Sequence, residues 1–369
     1  MIPIYIPYIS NYKTSAIKAI NDEWISNHGI NVELANTKLK EFLNMKYSIL
    51  MNNGTSATQC LIYALKYKYP NLNKIYIPNN VFISPINCVV NLYNENIIEV
   101  MKIDKNTLNI DVSEEYINSL DKNAAVLIVH NLGNIINVPK LKRLRPDLIF
   151  VEDNCEGIFG KYENYYSGTI SLCSALSFYG NKTITTGEGG AFLTNDIDVY
   201  KYILKLYSHG MTNIKYIHDV PGNNYRMTNV AAGFLYDQLN DINHILEKKK
   251  QIFTNYKKLI QLNNNNKFNN KIINIKNEEN TNCSKWMFCM IIKDLNYSNF
   301  EKFMNNKNIS IRPLFYDLRK HKHLTNLKYK YDEIKIFNNG FMLPSYPQLT
   351  YEQQNFIINT ISNYIDINL

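Results

Sequence analysis

The chain lacks the features that mark membrane, secreted and zinc-binding proteins. No apolar run approaches the length that spans a membrane. Residues 1–7 include two prolines and no basic residue, which is unlike a secretory signal. The six cysteines are dispersed and none stands in a Cys-x-x-Cys pair, so we expect reduced thiols and no metal site. These absences favour a cytoplasmic protein without a membrane partner.

The chain also lacks a concentrated basic segment. Lysine and arginine number 40 against 32 acidic residues, a net charge of +8, but the basic residues are scattered. Nucleic-acid binding normally requires a basic stripe, so we expect no nucleic-acid partner. A moderate positive charge still suits an anionic small-molecule substrate.

The composition and the order of apolar patterns predict an α/β fold. With 369 residues, 45% of them hydrophobic, the chain can form a large domain over residues 1–245 and a small C-terminal α/β domain over residues 246–369. Helical patterns alternate with short β-rich runs, which predicts a mixed, mostly parallel sheet covered by helices. The predicted strands cover residues 75–78, 97–101, 124–130, 148–152, 175–178 and 191–194.

Capping signals indicate where the main helices begin. One helix is predicted to start at Gly54, and a long helix that leads toward the small domain is predicted to start after the N-cap Thr228. Thr350 and Gln353 have the spacing of a capping box before the last helix. The asparagine-rich residues 263–270 are predicted to form a loop.

Lys182 is the strongest candidate for a reactive residue. It lies in residues 177–190, Ser-Phe-Tyr-Gly-Asn-Lys-Thr-Ile-Thr-Thr-Gly-Glu-Gly-Gly. A lysine held by such a turn can be desolvated, lose its proton and act as an amine nucleophile, most often toward an aldehyde cofactor. A surface lysine in a glycine-rich loop is the alternative, and the residues around Lys182 decide between the two.

Two further segments add the elements of a cofactor site. Gly54, Thr55 and Ser56 begin a helix with free backbone N–H groups and hydroxyl donors, which is typical of a phosphate cradle; a simple helix cap is the alternative. Asp153 stands at the carboxyl end of a buried strand, where ligands bind in open α/β sheets. A carboxylate there can hold the proton of a pyridinium ring, or it can cap the next turn.

With these motifs together, the chain resembles the pyridoxal phosphate-dependent nucleotide-sugar aminotransferases of the DegT/DnrJ/StrS type. Each motif is weak alone, but their joint occurrence in family order along nearly the whole chain is specific. The resemblance implies fold type I of the pyridoxal phosphate-dependent transferases, which is aspartate aminotransferase-like. The motifs at residues 177–190 and 222–229 are most similar to those of perosamine synthases, and viosamine-forming enzymes are near relatives of these. The motifs are Asn-Gly-Thr-Ser-Ala at 53–57, Val-Glu-Asp-Asn-Cys-Glu-Gly-Ile-Phe-Gly at 151–160, the lysine motif at 177–190 and Gly-Asn-Asn-Tyr-Arg-Met-Thr-Asn at 222–229.

The resemblance also implies roles for individual residues. Lys182 would form a Schiff base with pyridoxal phosphate, and Asp153 would pair with the pyridine nitrogen. Glu156 would lie near the phenolic oxygen and Phe82 would stack on the ring, although Phe82 can also be read as an ordinary core residue. The residues implied to hold the phosphate are Gly54, Thr55, Ser56, Ser177 and Asn224. Those implied to face the substrate are Arg312, Tyr316 and His321.

The implied active unit is a homodimer with shared active sites, because Asn224 resembles the residue that reaches the neighbouring subunit's cofactor. The implied reaction transfers an amino group from L-glutamate to C4 of a nucleotide-linked 4-keto-6-deoxyhexose, giving a viosamine- or perosamine-type sugar. Lysine at position 182 favours amino transfer, because related 3-dehydratases carry histidine there. Asn79, Asn80 and Asn131 depart from the family pattern, which bears on the sugar pocket rather than on the cofactor.

Three other functions are alternatives to this interpretation. Amination at C3 remains open, because the carbon attacked depends on how the sugar lies in the pocket. A non-catalytic binding or regulatory homologue also remains, although the Lys182 and Asp153 pair speaks against it. A Rossmann dehydrogenase is disfavoured, because no Gly-x-Gly-x-x-Gly follows the first strand.

Overall fold

A computed structural model describes residues 1–369 as an α/β protein with three sheets. Short 3-10 turns connect several of the regular elements. The α-helices are α1 Thr14–Asn21, α2 Ile30–Leu43, α3 Gly54–Lys68, α4 Ile83–Val90, α5 Glu114–Asn118, α6 Val138–Leu144, α7 Ile197–Leu206, α8 Asn229–Asn240, α9 Ile242–Gln261, α10 Asn266–Lys271, α11 Tyr297–Asn306 and α12 Tyr351–Asn368. The strands are β1 Tyr47–Met51, β2 Ile75–Ile77, β3 Ile98–Val100, β4 Ala125–Val129, β5 Ile149–Asp153, β6 Lys161–Tyr162, β7 Tyr165–Tyr166, β8 Cys173–Ser177, β9 Gly190–Thr194, β10 Ile272–Ile273, β11 Thr281–Asn282, β12 Phe288–Ile292, β13 Arg312–Pro313, β14 Lys328–Tyr329 and β15 Gly340–Leu343.

The central sheet has eight strands in the order β1-β9-β8-β5-β4-β2-β3-β14. Only β9 runs against the others, so the sheet is mixed and mostly parallel. Helices on both faces explain why strands such as β4 and β8 are buried along their whole length. All six predicted strands lie in this sheet, and the predicted α/β architecture is confirmed.

A second, antiparallel sheet near the C-terminus has the order β10-β12-β15-β13. Apolar side chains of α9, α11 and α12 form its core. Helix α9 continues through residue 245, with Ile245 in a cluster of the large sheet and Ile252 in the core of the small one. The division of the chain at residue 245 stays a prediction.

One C-terminal segment returns to the central sheet. Strand β14 pairs in parallel with β3 at the sheet edge. Leu318, Leu324 and Leu327 are buried in the same core cluster as residues of β2 and β3. The residues that follow β13 therefore pack on the large unit, although they lie far beyond residue 245.

The predicted helix starts agree with the capping geometry. The Thr228 side chain accepts a hydrogen bond from the Ala231 amide at the start of α8. Thr350 and Gln353 form a reciprocal capping box at the start of α12. The helical pattern after Thr228 is nevertheless divided in two, because α8 ends at Asn240 and α9 begins at Ile242.

The prediction of a loop over residues 263–270 is wrong for its second half, where α10 forms. Asn265 caps this helix, since its side chain accepts from the amides of Lys267 and Phe268. Phe268 is fully buried against the small sheet. A cap and one buried aromatic side chain therefore outweigh the low helix propensity of asparagine.

The structure contains no membrane-spanning helix, no cluster of metal-binding side chains and no disulfide bond. None of the helices combines the length and the apolar content needed to cross a membrane. No three His, Cys, Asp or Glu side chains lie close enough together to hold a metal ion. The six cysteines are all free thiols.

Gly233 provides a test of how α1 packs on α8. A Cβ atom at this position would lie 2.6 Å from the Ala16 amide nitrogen of α1, which is backbone and cannot rotate away. Gly233→Ala should force the helices apart and lower the free energy of unfolding by about 1–3 kcal/mol in urea titration. Asn240→Ala, an exposed change in the same helix, should stay within about 0.5 kcal/mol of wild type. Unchanged stability of Gly233→Ala would contradict the close packing.

Candidate active site

A cavity of about 970 Å³ opens at the carboxyl ends of the central strands. The ends of β5 and β8 and the start of α3 line one side, and residues 312–316 line the other. Of the residues predicted to form the site, those that line the cavity are Gly54, Thr55, Ser56, Phe82, Asp153, Glu156, Ser177, Lys182, Arg312, Tyr316 and His321. Asn224 is the exception and is exposed outside it. Residues distant in sequence therefore meet in a single concave site.

Lys182 lies in the loop after β8, and its side chain is only 10% exposed. Its ammonium nitrogen Nζ is 3.9 Å from Glu156 Oε1 and 4.2 Å from the centre of the Trp286 ring. Its amide donates to the Tyr179 carbonyl at 2.8 Å, which closes the turn. The alternative of a surface lysine is excluded, because this amine is desolvated and faces the cavity.

Glu156 is the carboxylate nearest to the Lys182 amine. Its Oε2 accepts the Leu132 amide at 2.8 Å. Burial raises the pKa of Glu156 to about 7, although the positive charge of Lys182 acts in the opposite direction. The carboxyl group therefore changes charge near neutral pH.

Asp153 is the last residue of β5 and is buried. Its Oδ1 accepts the Cys155 amide at 3.0 Å, and its Oδ2 lies 3.0 Å from the Thr58 hydroxyl. Neither partner is charged, so the carboxylate is oriented but its charge is not neutralised. It is therefore available to hold a proton on a ligand nitrogen.

Glu152, the neighbour of Asp153, points to the other face of the sheet, as expected in a strand. Its carboxylate lies 2.8 Å from His130 Nε2. The Ile136 amide donates to His130 Nδ1, so the ring proton is on Nε2 and is donated to Glu152. This buried pair ties β4 to β5 below the cavity.

Gly54 is the first residue of α3, and Asn53 caps this helix by accepting the Ser56 amide. A Cβ atom at position 54 would lie 2.6 Å from Ser177 Cβ. The first turn of a helix has N–H groups without intrahelical acceptors, at the positive end of the helix dipole. The helix start therefore serves both readings: Asn53 is the cap, and the residues after it form an open cradle that fits a phosphate group.

Phe82 is 53% exposed and lines the cavity, which excludes the alternative of an ordinary core residue. Its ring centre lies 5.9 Å from that of Phe315, so the two rings are in contact. An aromatic face on this side of the cavity can cover a flat ligand ring.

Two residues of the site, Trp286 and Thr58, were not predicted from the sequence. Trp286 covers Lys182, and its indole N–H donates to the Asn181 carbonyl at 3.1 Å. Thr58 orients Asp153 from the second turn of α3. Trp286 lies in no motif, and only the packing of the C-terminal part of the chain brings it to Lys182. Thr58 had a weak signal, since it lies one turn after the cradle.

The pKa of Glu156 predicts how stability depends on pH. Because this pKa is about 7 in the folded protein against an ordinary value of 4.5, the folded state binds more protons between these pH values. Stability from this group is therefore lost as pH rises through that interval. Glu156→Gln should remove this pH-dependent loss of stability. The melting temperature of the cofactor-free variant minus that of cofactor-free wild type should therefore be larger at pH 8 than at pH 5.

The control for this prediction is Glu247→Gln, which changes an exposed carboxyl on α9. The melting temperature of Glu247→Gln should differ from that of wild type by the same amount at pH 5 and at pH 8. If the difference for Glu156→Gln were equally independent of pH, Glu156 would be ionised in the folded protein.

Comparison with known proteins identifies the family. The model of the DegT/DnrJ/EryC1/StrS aminotransferase family matches residues 8–362. The chain is 28% identical over 373 residues to the GDP-perosamine synthase of Escherichia coli O157:H7, covering 98% of each chain. It is 27% identical over 377 residues to the GDP-perosamine synthase of Vibrio cholerae, covering 99% of this chain and 100% of the relative.

Solved structures share the fold. One is the E. coli GDP-4-keto-6-deoxy-D-mannose-3-dehydratase with bound hydrated PLP, with a TM-score of 0.85, 19% identity and coverage of 98% of this chain and 99% of that one. Another is Helicobacter pylori PseC, an aminotransferase involved in the biosynthesis of pseudoaminic acid, with a TM-score of 0.85, 19% identity and 98% coverage of each chain. The family match and the fold lead to one conclusion: the chain belongs to the DegT/DnrJ/EryC1/StrS aminotransferase family, whose cofactor is pyridoxal phosphate.

Proposed function

We propose that this protein transfers an amino group from L-glutamate to C4 of a nucleotide-linked 4-keto-6-deoxyhexose. The product is a 4-amino-4,6-dideoxyhexose of the perosamine or viosamine type. The observation that carries the proposal is the desolvated amine of Lys182, which faces the same cavity as the uncompensated carboxylate of Asp153. The similarity to two GDP-perosamine synthases over nearly the whole chain supports the choice of C4.

The residues of the cavity fit pyridoxal phosphate. Bound there, this cofactor supplies an aldehyde that condenses with amines and a ring that withdraws electrons. Lys182 would be the covalent attachment point, and Asp153 would hold the proton of the ring nitrogen. Phe82 would cover the ring, and Glu156 would lie on the side of the phenolic oxygen. The residues that would hold the phosphate are Gly54, Thr55, Ser56 and Ser177.

Lys182 is also the group that moves the proton in the reaction. When its amine is free, Nζ removes the proton from the donor's α-carbon and returns it during the transfer. The Trp286 ring and the Glu156 carboxyl group cover Nζ on two sides, which limits the access of water. Burial also keeps water from competing with the donor for the free amine, and in this way it serves the chemistry.

The size of the cavity supports a large second substrate. A volume of about 970 Å³ lies at the upper end of the range for small-molecule sites and leaves space beside a one-ring cofactor. Arg312, Tyr316 and His321 lie on the wall opposite the cradle. The Arg312 guanidinium suits the diphosphate of a nucleotide sugar, and the two ring-bearing residues can contact the sugar or the base.

Asn224 acts across a dimer interface in this proposal. It is exposed and absent from the cavity of its own chain, as a residue that completes a partner's site should be. The neighbouring loop exposes several large apolar side chains, which is typical of a protein–protein contact. These side chains belong to Met211, Ile214, Tyr216 and Ile217.

A panel of substrates tests the proposed reaction. The protein, loaded with pyridoxal phosphate, is incubated with L-glutamate and GDP-, UDP- or dTDP-linked 4-keto-6-deoxyhexoses. We expect a single nucleotide to be preferred, and NMR of the product should place nitrogen on C4. Nitrogen on C3 would overturn the position of transfer, and the absence of any aminated product would overturn the function.

Lys182→Ala tests the assignment of the catalytic amine. We expect the rate of amino transfer to fall by more than about 10⁴-fold, because both the attachment point and the proton carrier are removed. The variant should still bind pyridoxal phosphate non-covalently, which dialysis and absorbance will measure. The control Lys257→Ala changes an exposed lysine of α9 and should keep the wild-type rate. Full turnover by Lys182→Ala would overturn the assignment.

A further inference from the structure

Residues 314–331, here called the wall segment, form one side of the cavity without belonging to the small sheet. Tyr316 and His321 of this segment line the cavity. The segment ends in β14, which pairs with β3 of the central sheet. The distance of the wall segment from the start of α3 therefore depends on its contacts with the central sheet.

Asn79 makes the most specific of these contacts. It lies two residues after β2 and is buried. Its Nδ2 donates to Asp317 Oδ2 at 2.7 Å, and its Oδ1 accepts the Leu318 amide at 2.8 Å. The pairing needs a donor and an acceptor on one short planar group, which among the common side chains only asparagine offers at this length.

Asp317 is a buried carboxylate with all its partners in place. Its side chain is 1% exposed. Besides Asn79, its Oδ2 accepts the Arg319 guanidinium at 2.9 Å, and its Oδ1 accepts the Arg319 amide at 2.9 Å. The same guanidinium lies 4.2 Å from the Tyr329 ring in β14. The Asn79–Asp317 hydrogen bond and the Arg319 side chain together connect the turn after β2 to both ends of the wall segment.

The turn after β2 also carries Phe82, which lines the cavity. Asn80 has a positive φ of 55°, a backbone conformation that asparagine tolerates better than most residues. Its carbonyl accepts Asn131 Nδ2 at 3.1 Å, and its own Nδ2 lies 3.5 Å from the Phe315 carbonyl. Phe82 follows two residues later, and its ring centre lies 5.9 Å from that of Phe315 in the wall segment. This short turn therefore contacts the start of the wall segment directly.

We infer that Asn79 and Asp317 are positioning residues, which hold Tyr316 and His321 at a fixed distance from the cofactor cradle. The pair acts on the sugar substrate and not on the amino donor, since neither residue lines the cavity beside Lys182 and Asp153. Phe82 keeps its place without the pair, because the Asn80 carbonyl still accepts a hydrogen bond from Asn131. This inference rests on the proposed function for the identity of the substrate. The departure from the family pattern at Asn79, noted in the sequence, is thereby given a physical role.

The test is an exchange of the two groups. Asn79→Asp puts two carboxylates against each other and removes the donor. The double variant N79D/D317N restores one donor–acceptor pair and still accepts the Leu318 amide, but it loses the ion pair between Asp317 and Arg319. For Asn79→Asp we expect the KM of the keto sugar to rise at least about tenfold, the effect of losing a buried hydrogen bond to a charged group. The double variant should recover part of this loss.

The reaction with L-glutamate alone separates positioning from general damage. It is followed by the absorbance of the bound cofactor in single-turnover experiments and should change by less than about twofold in every variant. The control Asn91→Ala removes an exposed asparagine and should leave both measurements unchanged. A loss of equal size in the glutamate reaction and in the sugar reaction would overturn the inference, as would an unchanged KM for Asn79→Asp.

Hydrogen exchange supplies a measurement that does not depend on the substrate. Asn79→Ala removes both hydrogen bonds without adding a charge, and serves also if Asn79→Asp does not fold. We expect faster exchange at residues 315–321, above all at the Leu318 amide, with unchanged exchange in β4 and β5. Unchanged exchange at residues 315–321 would overturn the inference. If the wild-type protein aminated no nucleotide sugar, the proposed function would fail, while this exchange experiment would still decide whether Asn79 docks the wall segment.

Discussion

The parallel pairing of β5 with β8 is the constraint on which the site depends. The register places Asp153 opposite Ala175, and β8 runs on to Ser177. Adjacent parallel strands are about 4.8 Å apart, so Asp153 and Ser177 lie at the same edge of the sheet. The chain then turns through Lys182 and returns as the antiparallel β9, which keeps the lysine at that edge.

The electrostatics of the cavity follow from burying few charges together. Lys182 faces Glu156, while Asp153 is oriented by the neutral partners Cys155 and Thr58. A buried charge without an opposite partner is costly, so such a site favours a ligand that supplies the missing charge or proton. The raised pKa of Glu156, about 7, expresses the same cost in the absence of a ligand. The cavity is thus prepared for a cofactor with a protonatable ring and an anionic phosphate.

Much of this arrangement could be predicted because local signals and chemistry coincide. Six of the eight strands of the central sheet have apolar runs that can be read directly, and Thr228 and Thr350 cap helices as their positions indicate. The docking of the wall segment could not be read in the same way. Asn79 and Asp317 are 238 residues apart, and neither lies in a pattern that names the other. A hydrogen bond between two polar side chains is strong and specific only when burial removes the competing water, and burial depends on the whole fold.

The sequence by itself determined the class of protein and singled out the candidate site residues, because Lys182, Asp153 and Gly54 lie in short motifs whose order is specific. Whether Lys182 is buried and which aromatic residue covers it depend on contacts between segments more than 100 residues apart. Trp286 and the wall segment are the examples: their places follow from the packing of apolar side chains onto the central sheet, not from any local periodicity. Tertiary structure decided these points, because burial and long-range pairing are properties of the folded chain as a whole.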